Sequence, residues 1–282
     1  MSNIHHQTSD FSVHTVGNVE LIVDCRAVSD EGIQSLLDLP GVLRNLPGRD
    51  SRSRGRESVW TWSPNWSESD LVVRQYVHGG VLGRLWGSLF LSSRQMHREL
   101  RIARHALDCG VPTCRPVALR IEHVFGPLVR GHYVTEKLES TQNLLEFCRM
   151  HGEELTIKQR IEVSHAIART LSRMHDAGIY HSDLNLKNIL VRRENAQNCV
   201  QVIDFKKSGL RNRLDLAEGL QNLVRLDRSV LKWPASRAAI SLTDRLRTLR
   251  RYIRIRGAGQ SDWKDTARKV LTHHRFHALS RR

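Results

Sequence analysis

Short runs of apolar and β-branched residues dominate the first half of the chain and predict β-strands there. The predicted strands are Val19–Val23, Ser58–Trp62, Leu71–Val77, Val117–Glu122 and Gly131–Leu138. Apolar residues at helical spacing predict a short helix over Asp30–Leu37 and a longer one over Ser93–Asp108. Residues 1–18 are polar and show no clear periodicity, so a loose leader is expected there.

The second half of the chain changes to a helical pattern. Apolar residues three and four apart predict a short helix from Leu144 to Arg149 and a long one from Thr156 to Ala177. Two short apolar runs, Ile189–Val191 and Val200–Ile203, predict a small β-ribbon, and residues 214–256 are helical again. A β-rich first lobe followed by a helical second lobe is therefore expected, and the predicted fold class is α+β.

Composition restricts the class of protein. Hydrophobic residues make up 40% of the chain, which is ordinary for a globular protein. The longest apolar stretch, Val81 to Leu91, is interrupted by Arg84 and falls short of the roughly 20 residues that span a membrane. The N-terminus has no secretory pattern, and the five scattered cysteines predict neither a disulfide framework nor a zinc site. A cytoplasmic protein is expected.

The chain is strongly basic, with 44 Lys and Arg residues against 29 Asp and Glu and a formal net charge of +15. Such a charge favours polyanionic partners, which include nucleic acid, anionic lipid headgroups and phosphorylated substrates. The sequence contains no zinc-finger pattern and no interleaving of aromatic with basic residues, so no specific nucleic acid is expected. The net charge alone does not distinguish between anionic lipid headgroups and phosphorylated substrates as partners.

The candidate chemistry lies between residues 180 and 205. The long helix leads into a polar loop that contains Asp183 and Asn188, and a second short strand brings Asp204 back beside that loop. Because Mg²⁺ prefers oxygen ligands, this group of three oxygen-bearing side chains suits such an ion. One of Asp183 and Asn188 could contact an incoming hydroxyl while the other holds the metal, as phosphoryl transfer requires. The structural alternative is a polar loop in which these acids only cap turns.

This stretch resembles the catalytic loop of protein-kinase-like enzymes, H-R-D-L-x-x-x-N, followed by the metal motif D-F-G. Here residues 181–188 are H-S-D-L-N-L-K-N, and residues 204–206 are D-F-K, with Lys206 replacing the usual small or acidic residue. The resemblance implies that Asp183 orients and deprotonates the acceptor hydroxyl, while Asn188 and Asp204 hold Mg²⁺. Such enzymes hold the α- and β-phosphates of ATP with a lysine on the third strand, paired with a glutamate on the next helix. The matching residues are Arg74, not lysine, and Glu99, and we expect them to pair.

The same resemblance implies two further parts of an ATP site. Residues 134–138 lie where a hinge would bind adenine through backbone groups of Glu136 and Leu138. A G-x-G-x-x-G motif does not occur, although Gly48 and Gly55 flank a basic segment whose amides and arginines could surround phosphates. A solvated basic loop is the equally simple interpretation of that segment.

A closer resemblance is found in R-Q-Y-V-H-G-G-V-L-G-R at residues 74–84. It is similar to the R-x-Y-x-x-G-G-L segment of bacterial 3-deoxy-D-manno-octulosonic acid (Kdo) kinases, with Val81 in place of the leucine. Residues 98–100, 135–137, 181–185 and 222–232 also resemble family segments, so the resemblance covers about residues 55–235. Arg74 is then a family trait.

This family, with the related lipopolysaccharide-core heptose kinases, implies ATP- and Mg²⁺-dependent transfer to a sugar hydroxyl, here of Kdo linked to lipid A. The implied fold is two-lobed and protein-kinase-like, with a β-sheet N-lobe that carries one key helix and a short helical C-lobe. The expected N-lobe spans residues 51–138 and the C-lobe residues 139–256. A partly ordered extension at residues 1–50 and a basic tail at 257–282 flank them.

Three alternatives remain open at this point. The first is a heptose kinase of the same core. The second is a small protein kinase, which is disfavoured because no A-P-E motif follows Asp204. The third is a non-catalytic pseudokinase scaffold, which Arg74, Lys206 and the missing glycine motif favour, although all three polar residues of the loop site are present.

A basic segment occupies residues 244–256, where six arginines surround Leu246, Leu249 and Ile253 at helical spacing. A C-lobe helix with solvated arginines is the simplest interpretation. Because the implied acceptor is a glycolipid, we also expect salt-sensitive, peripheral contact with the anionic cytoplasmic face of the inner membrane.

Overall fold

The structure is a computed structural model that describes residues 10–46, 59–78, 87–152, 154–194 and 197–257. The chain divides into two compact units, the first made of Met1–Arg104 and Cys114–Leu138 and the second of His105–Thr113 and Glu139–Arg282. The glycine-containing segments at 48–55 and 79–84 lie outside the described residues, as does the expected tail beyond Gly257.

The first unit is built on a six-stranded antiparallel sheet. Its strands are β1 (Phe11–Val16), β2 (Val19–Asp24), β3 (Val59–Trp62), β4 (Leu71–Gln75), β5 (Pro116–Phe125) and β6 (Leu128–Glu136). They are arranged in the order β1-β2-β5-β6-β4-β3. The helices that begin in this unit are α1 (Asp30–Leu37), α2 (Leu39–Asn45) and α3 (Arg94–Asp108).

Both faces of this sheet are covered, because side chains alternate between the two faces along each strand. On β2, Leu21 and Val23 join Leu36 of α1 in a buried cluster on one face. Ile22 between them joins Met96 of α3 in a second cluster on the opposite face. The helix that carries Glu99 is thereby fixed against the sheet.

The expectation of a loose leader over residues 1–18 is wrong for its second half, because Phe11–Val16 forms the edge strand β1. Residues 1–9 lie outside the described residues. Strand β1 pairs with β2 through a tight hairpin in which Val16 lies opposite Val19. Gly17 adopts a left-handed conformation at the turn, with a φ of 57°. The sequence analysis does not predict the helix α2, in whose first turn Pro40 lies, where its missing N–H costs no hydrogen bond.

The second unit is mostly helical. Its helices are α4 (Leu144–His151), α5 (Ile157–Asp176), α6 (Leu216–Lys232), α7 (Pro234–Ala239) and α8 (Leu242–Ile255). Its strands are β7 (Thr141–Asn143), β8 (Ile179–Tyr180), β9 (Ile189–Glu194), β10 (Gln197–Val202) and β11 (Gly209–Leu210). They form a three-stranded sheet, β10-β9-β7, and the pair β11-β8. The predicted β-ribbon is the β9-β10 hairpin.

Capping side chains explain where the helices of the second unit begin. Thr156 and Gln159 form a capping box at α5, Asp215 and Glu218 form one at α6, and Ser241 forms one with Asp244 at α8. None of the helices in the described part of the chain is both long enough and apolar enough to span a bilayer.

Candidate active site

The polar loop between β8 and β9 is shaped by two asparagine side chains. The amide nitrogens of Asn185 and Asn188 both donate to the carbonyl oxygen of Asp183, each at 2.9 Å. The Asn185 side-chain oxygen accepts from the Lys187 backbone and caps the short 3₁₀ turn at Leu186–Asn188. The backbone of Asp183 is thus fixed, while its side chain is exposed.

His181 connects this loop to the segment that carries Asp204. Its Nε2 donates to the Ile203 carbonyl at 3.1 Å, and its Nδ1 accepts from the Asp183 backbone N–H at 3.3 Å. These two bonds require the neutral imidazole. Burial lowers the pKa of His181, although its hydrogen bond to Ile203 and the nearby Asp204 act in the opposite direction. His181 therefore braces the loop, as expected from the sequence.

Asp204 is brought beside the loop by backbone pairing, because the Ile203 N–H donates to the Asn188 carbonyl at 3.0 Å. Asp204 itself has a φ of 67°, in the left-handed region that few residues other than glycine adopt. The structure therefore brings Asp183, Asn188 and Asp204 together at the start of the β9-β10 hairpin.

The donor set fits Mg²⁺. Because the Asn188 amide nitrogen donates to the Asp183 carbonyl, the Asn188 amide oxygen points the opposite way and can coordinate a metal ion. Asp204 adds a half-buried carboxylate. Among the described residues, no group of three or more His, Cys, Asp or Glu side chains forms a closed metal site. Mg²⁺ bound to nucleotides takes few protein ligands and completes its shell with phosphate and water oxygens.

A buried polar network of side chains from α5, α6 and α8 supports the loop. The sequence analysis did not predict this network. Asn222 of α6 accepts from the His181 backbone N–H at 3.1 Å and donates to the His181 carbonyl at 3.0 Å. His175 of α5 donates to Asn222 at 3.1 Å and accepts from the Tyr252 hydroxyl of α8 at 2.7 Å. A Cβ at Gly219 would collide with that hydroxyl, so α6 approaches closely only because glycine is present.

Two more side chains of α6 hold the loop. Arg225 donates to the carbonyl of Ser182, and the Ser229 hydroxyl accepts from the Leu186 backbone N–H at 3.2 Å. Residues 222–232 were noted in the sequence only for their resemblance to a family segment. The signal that could have identified their role is the polar Asn222 on the apolar face of an amphipathic helix.

In the first unit, Arg74 and Glu99 form the ion pair that the sequence predicts. An Arg74 guanidinium nitrogen lies 2.5 Å from a Glu99 oxygen, and the Glu99 side chain is 1% exposed. The Tyr76 hydroxyl donates to the other Glu99 oxygen at 2.6 Å. The guanidinium also lies over the rings of Tyr76 and Tyr133, at 4.9 and 5.5 Å from their centroids.

Tyr76 is the member of this cluster that the sequence analysis missed. Burial, followed by the negative charge of Glu99, raises the pKa of Tyr76 well above its usual value, so the hydroxyl remains a neutral donor. Because Arg74 and Tyr76 are two residues apart, they lie on the same face of the strand. The R-x-Y spacing was the available signal.

The residues expected at the hinge lie at the end of β6. The Glu136 N–H donates to the Arg115 carbonyl at 3.0 Å, so it is used within the protein. Lys137 contacts Asp70 twice, through its backbone N–H and through Nζ, both at 2.8 Å. A role of Glu136 and Leu138 in adenine binding therefore concerns the Glu136 carbonyl and the backbone of Leu138, and it remains a prediction.

Comparison with known proteins supports the resemblance. A family model described as "Lipopolysaccharide kinase (Kdo/WaaP) family" matches residues 49–252. The chain is 29% identical over 185 residues to a 3-deoxy-D-manno-octulosonic acid kinase of Mannheimia succiniciproducens, which covers 64% of this chain and 74% of that protein. It is 31% identical over 177 residues to the same enzyme of Actinobacillus succinogenes, covering 61% and 70% respectively.

A solved structure described as "WaaP in complex with acyl carrier protein" is also similar. It superimposes with a TM-score of 0.61 at 21% identity and covers 90% of this chain and 98% of that chain. At this identity the likeness concerns the fold alone. It confirms the expected α+β, two-lobed, kinase-like fold.

Proposed function

Because the chain belongs to the lipopolysaccharide kinase (Kdo/WaaP) family, we propose that it transfers the γ-phosphoryl group of ATP to a sugar hydroxyl of Kdo linked to lipid A. The family makes the protein a lipopolysaccharide core kinase. The observation that supports the chemistry is the convergence of Asp183, Asn188 and Asp204 on one braced loop. The names of the similar relatives support Kdo as the acceptor.

Asp183 is the proposed catalytic residue. Its carboxylate is exposed, so it can orient the sugar hydroxyl and accept its proton. Asn188 and Asp204 would hold Mg²⁺, which neutralises charge on the phosphate oxygens when it is bound. His181 does not take the proton in this proposal, because both of its ring nitrogens are used to brace the backbone.

Arg74 is the proposed phosphate-positioning residue. Its guanidinium keeps its charge and can contact phosphate oxygens in a planar, bidentate manner. Glu99 uses one oxygen for Arg74 and the other for Tyr76, so its role is to hold Arg74 and not to react. Backbone groups of Glu136 and Leu138 are proposed to bind adenine.

The acceptor also suggests where the protein works. A sugar attached to a lipid lies at a membrane surface, and the chain has a formal net charge of +15 that favours anionic headgroups. We therefore place the protein, as part of this proposal, on the cytoplasmic face of the inner membrane as a peripheral protein.

The test is a transfer assay with ATP labelled on the γ-phosphate. Kdo–lipid A and a heptose-containing core are offered as separate acceptors, with Mg²⁺ and with excess chelator. We expect Mg²⁺-dependent label on Kdo–lipid A. Label only on the heptose-containing core would replace the proposed acceptor, and no transfer to either by folded protein would contradict the proposed reaction.

A further inference from the structure

The helices α5 and α8 pack side by side and share a basic surface. The Ser164 hydroxyl donates to the Asp244 carbonyl at 3.4 Å, and His175 and Tyr252 are 2.7 Å apart, so later residues of one helix contact later residues of the other. The two helices therefore run in the same direction. Between these contacts lies a set of basic side chains that we name the α5–α8 arginine patch. It consists of His165, Arg169, Arg247 and Arg251.

Helical geometry places these side chains in two parallel rows. His165 and Arg169 are four residues apart on α5, and Arg247 and Arg251 are four residues apart on α8, so each pair lies on one side of its helix. Burial lowers the pKa of His165, and the positive charges of Arg251, Arg169 and Arg247 lower it further. All three guanidinium groups are thus close enough to act on one imidazole.

This positive charge is only partly balanced. Arg247 donates to a carboxylate oxygen of Asp244 at 2.6 Å, and the other oxygen of Asp244 is shared with Arg160 and with the Ser241 hydroxyl. One carboxylate therefore serves two arginines. The structure gives no acidic partner to Arg169 or Arg251 among the residues that it describes.

Arg251 provides the observation that points to a ligand. Its Nε–H is buried, yet it has no acceptor within the described part of the chain. A buried donor without an acceptor is unfavourable, and a charged donor is more so. An anionic oxygen on the patch would bind the half-buried Arg251 guanidinium through a charge-assisted hydrogen bond.

Two other arginines of the basic segment at residues 244–256 are engaged within the protein. Arg245 forms an ion pair with Asp227, with one nitrogen–oxygen distance of 2.6 Å. Arg256 donates to Asp176 and, at 2.5 Å, to the Leu214 carbonyl. The basic segment is therefore not one uniform charged face.

We propose that the α5–α8 arginine patch binds the phosphate groups of anionic phospholipid headgroups and so docks the protein on a membrane surface. Guanidinium groups match phosphate oxygens in charge and geometry. The proposal rests on the proposed function for the presence of a membrane-bound acceptor, whereas the unbalanced charge and the buried donor are independent of it.

The test is sedimentation of the full-length chain with vesicles of phosphatidylcholine and phosphatidylglycerol at low and high salt. The variant Arg169→Gln/Arg251→Gln should bind about 30-fold more weakly at low salt. The matched control, Arg94→Gln/Arg98→Gln, removes the same charge from the exposed side of α3 and should change binding less than about threefold. Equal thermal midpoints show that both variants are folded.

The outcomes separate the possible sources of phosphate. Equal loss of binding in both variants would show that only the overall charge matters and would overturn the patch. Competition by inorganic phosphate at constant ionic strength would show a site for free phosphate instead of a lipid surface. The patch variant should still phosphorylate acceptor dispersed in detergent, so failure of docking and failure of the proposed kinase activity are distinguishable.

Discussion

Glu99 in the first unit and Asp183 in the second are both carboxylates that the sequence predicts as site residues, but their surroundings within each unit differ. Glu99 is buried, and its two oxygens contact Arg74 and Tyr76. Asp183 is exposed, and the polar network around it fixes its backbone, while its carboxylate accepts one long hydrogen bond, at 3.4 Å, from the Asn185 amide nitrogen. One acid is held by its carboxylate, whereas the other is held by its main chain.

This difference indicates a division of roles. A buried carboxylate that is fully hydrogen-bonded can fix a cation in place, but it is not free to take a proton. An exposed carboxylate on a fixed backbone contributes little to stability but is free to react. Removal of Glu99 should therefore affect folding, and removal of Asp183 should affect catalysis.

The largest expected effect is that of Asp183→Asn. Loss of the proposed base should reduce the turnover of phosphoryl transfer about 10³-fold, while the thermal midpoint stays within error of wild type. The control, Asp30→Asn, removes an exposed aspartate from the first turn of α1 and should leave turnover unchanged. Wild-type turnover in Asp183→Asn would exclude Asp183 as the base.

Glu99→Gln comes next. It removes the buried negative charge that the half-buried Arg74 contacts, which should lower the free energy of unfolding by about 3–5 kcal/mol. The control, Glu31→Gln, changes an exposed glutamate on α1 and should change it by less than about 0.5 kcal/mol. Urea unfolding measures both free energies. A Glu99→Gln protein as stable as wild type would show that Glu99 contributes no more to folding than Asp183 does.

Acid should lower the stability of both units, because each contains a buried histidine. These are His132 in the first unit and His175 in the second. Burial lowers the pKa of each from 6.5 to about 4, and the nearby Arg120 and Arg130 add to the shift at His132. As the pH falls, these histidines become protonated in the unfolded chain at a higher pH than in the folded protein. The free energy of unfolding should therefore be highest above pH 6.5 and should decrease as the pH falls from 6.5 to about 4.

His132→Leu tests this acid effect in the first unit. It should remove about 3 kcal/mol of the pH dependence of the unfolding free energy between pH 6.5 and 4. Urea unfolding of wild type and variant at both pH values gives this difference. If the two proteins lose stability in parallel, His132 does not contribute to acid unfolding.

The smallest expected effect is that of Tyr76→Phe. It keeps the ring beneath Arg74 and removes one hydrogen bond to Glu99, which should cost about 2 kcal/mol of stability. If Tyr76 also positions Arg74, the KM for ATP should rise more than kcat falls. Tyr133→Phe is the matched control, because the ring that it keeps also lies under Arg74.

Local signals explain why much of the fold could be predicted. The helix over Asp30–Leu37 was predicted with its observed bounds, because Ser29 caps it and the apolar spacing is regular. The strand β1 was missed because its side chains Val13 and Val16 are exposed, so the run lacks a clear apolar face. What forms β1 is pairing with β2, which the sequence of residues 11–16 alone does not indicate.

In the candidate site, too, local patterns predict some contacts and miss those between residues far apart in sequence. Arg74 and Glu99 could be paired because the kinase-like pattern requires a cation on the strand and an acid on the following helix, and each element presents one at the matching position. The buried network of His175, Asn222 and Tyr252 that supports the loop could not be predicted from such a pattern. Its hydrogen bonds join residues far apart in sequence, 41 positions for His181 and Asn222 and 77 positions for His175 and Tyr252. No periodicity or spacing reports such contacts.

Arginine at position 74 has a consequence for chemical labelling. A nucleotide analogue with a reactive acyl phosphate would acylate a lysine amine that lies beside the phosphates, because an unprotonated amine is a good nucleophile. A guanidinium remains protonated and is a poor nucleophile, and here it is also bound to Glu99. Such reagents should leave position 74 unmodified even when the nucleotide is bound.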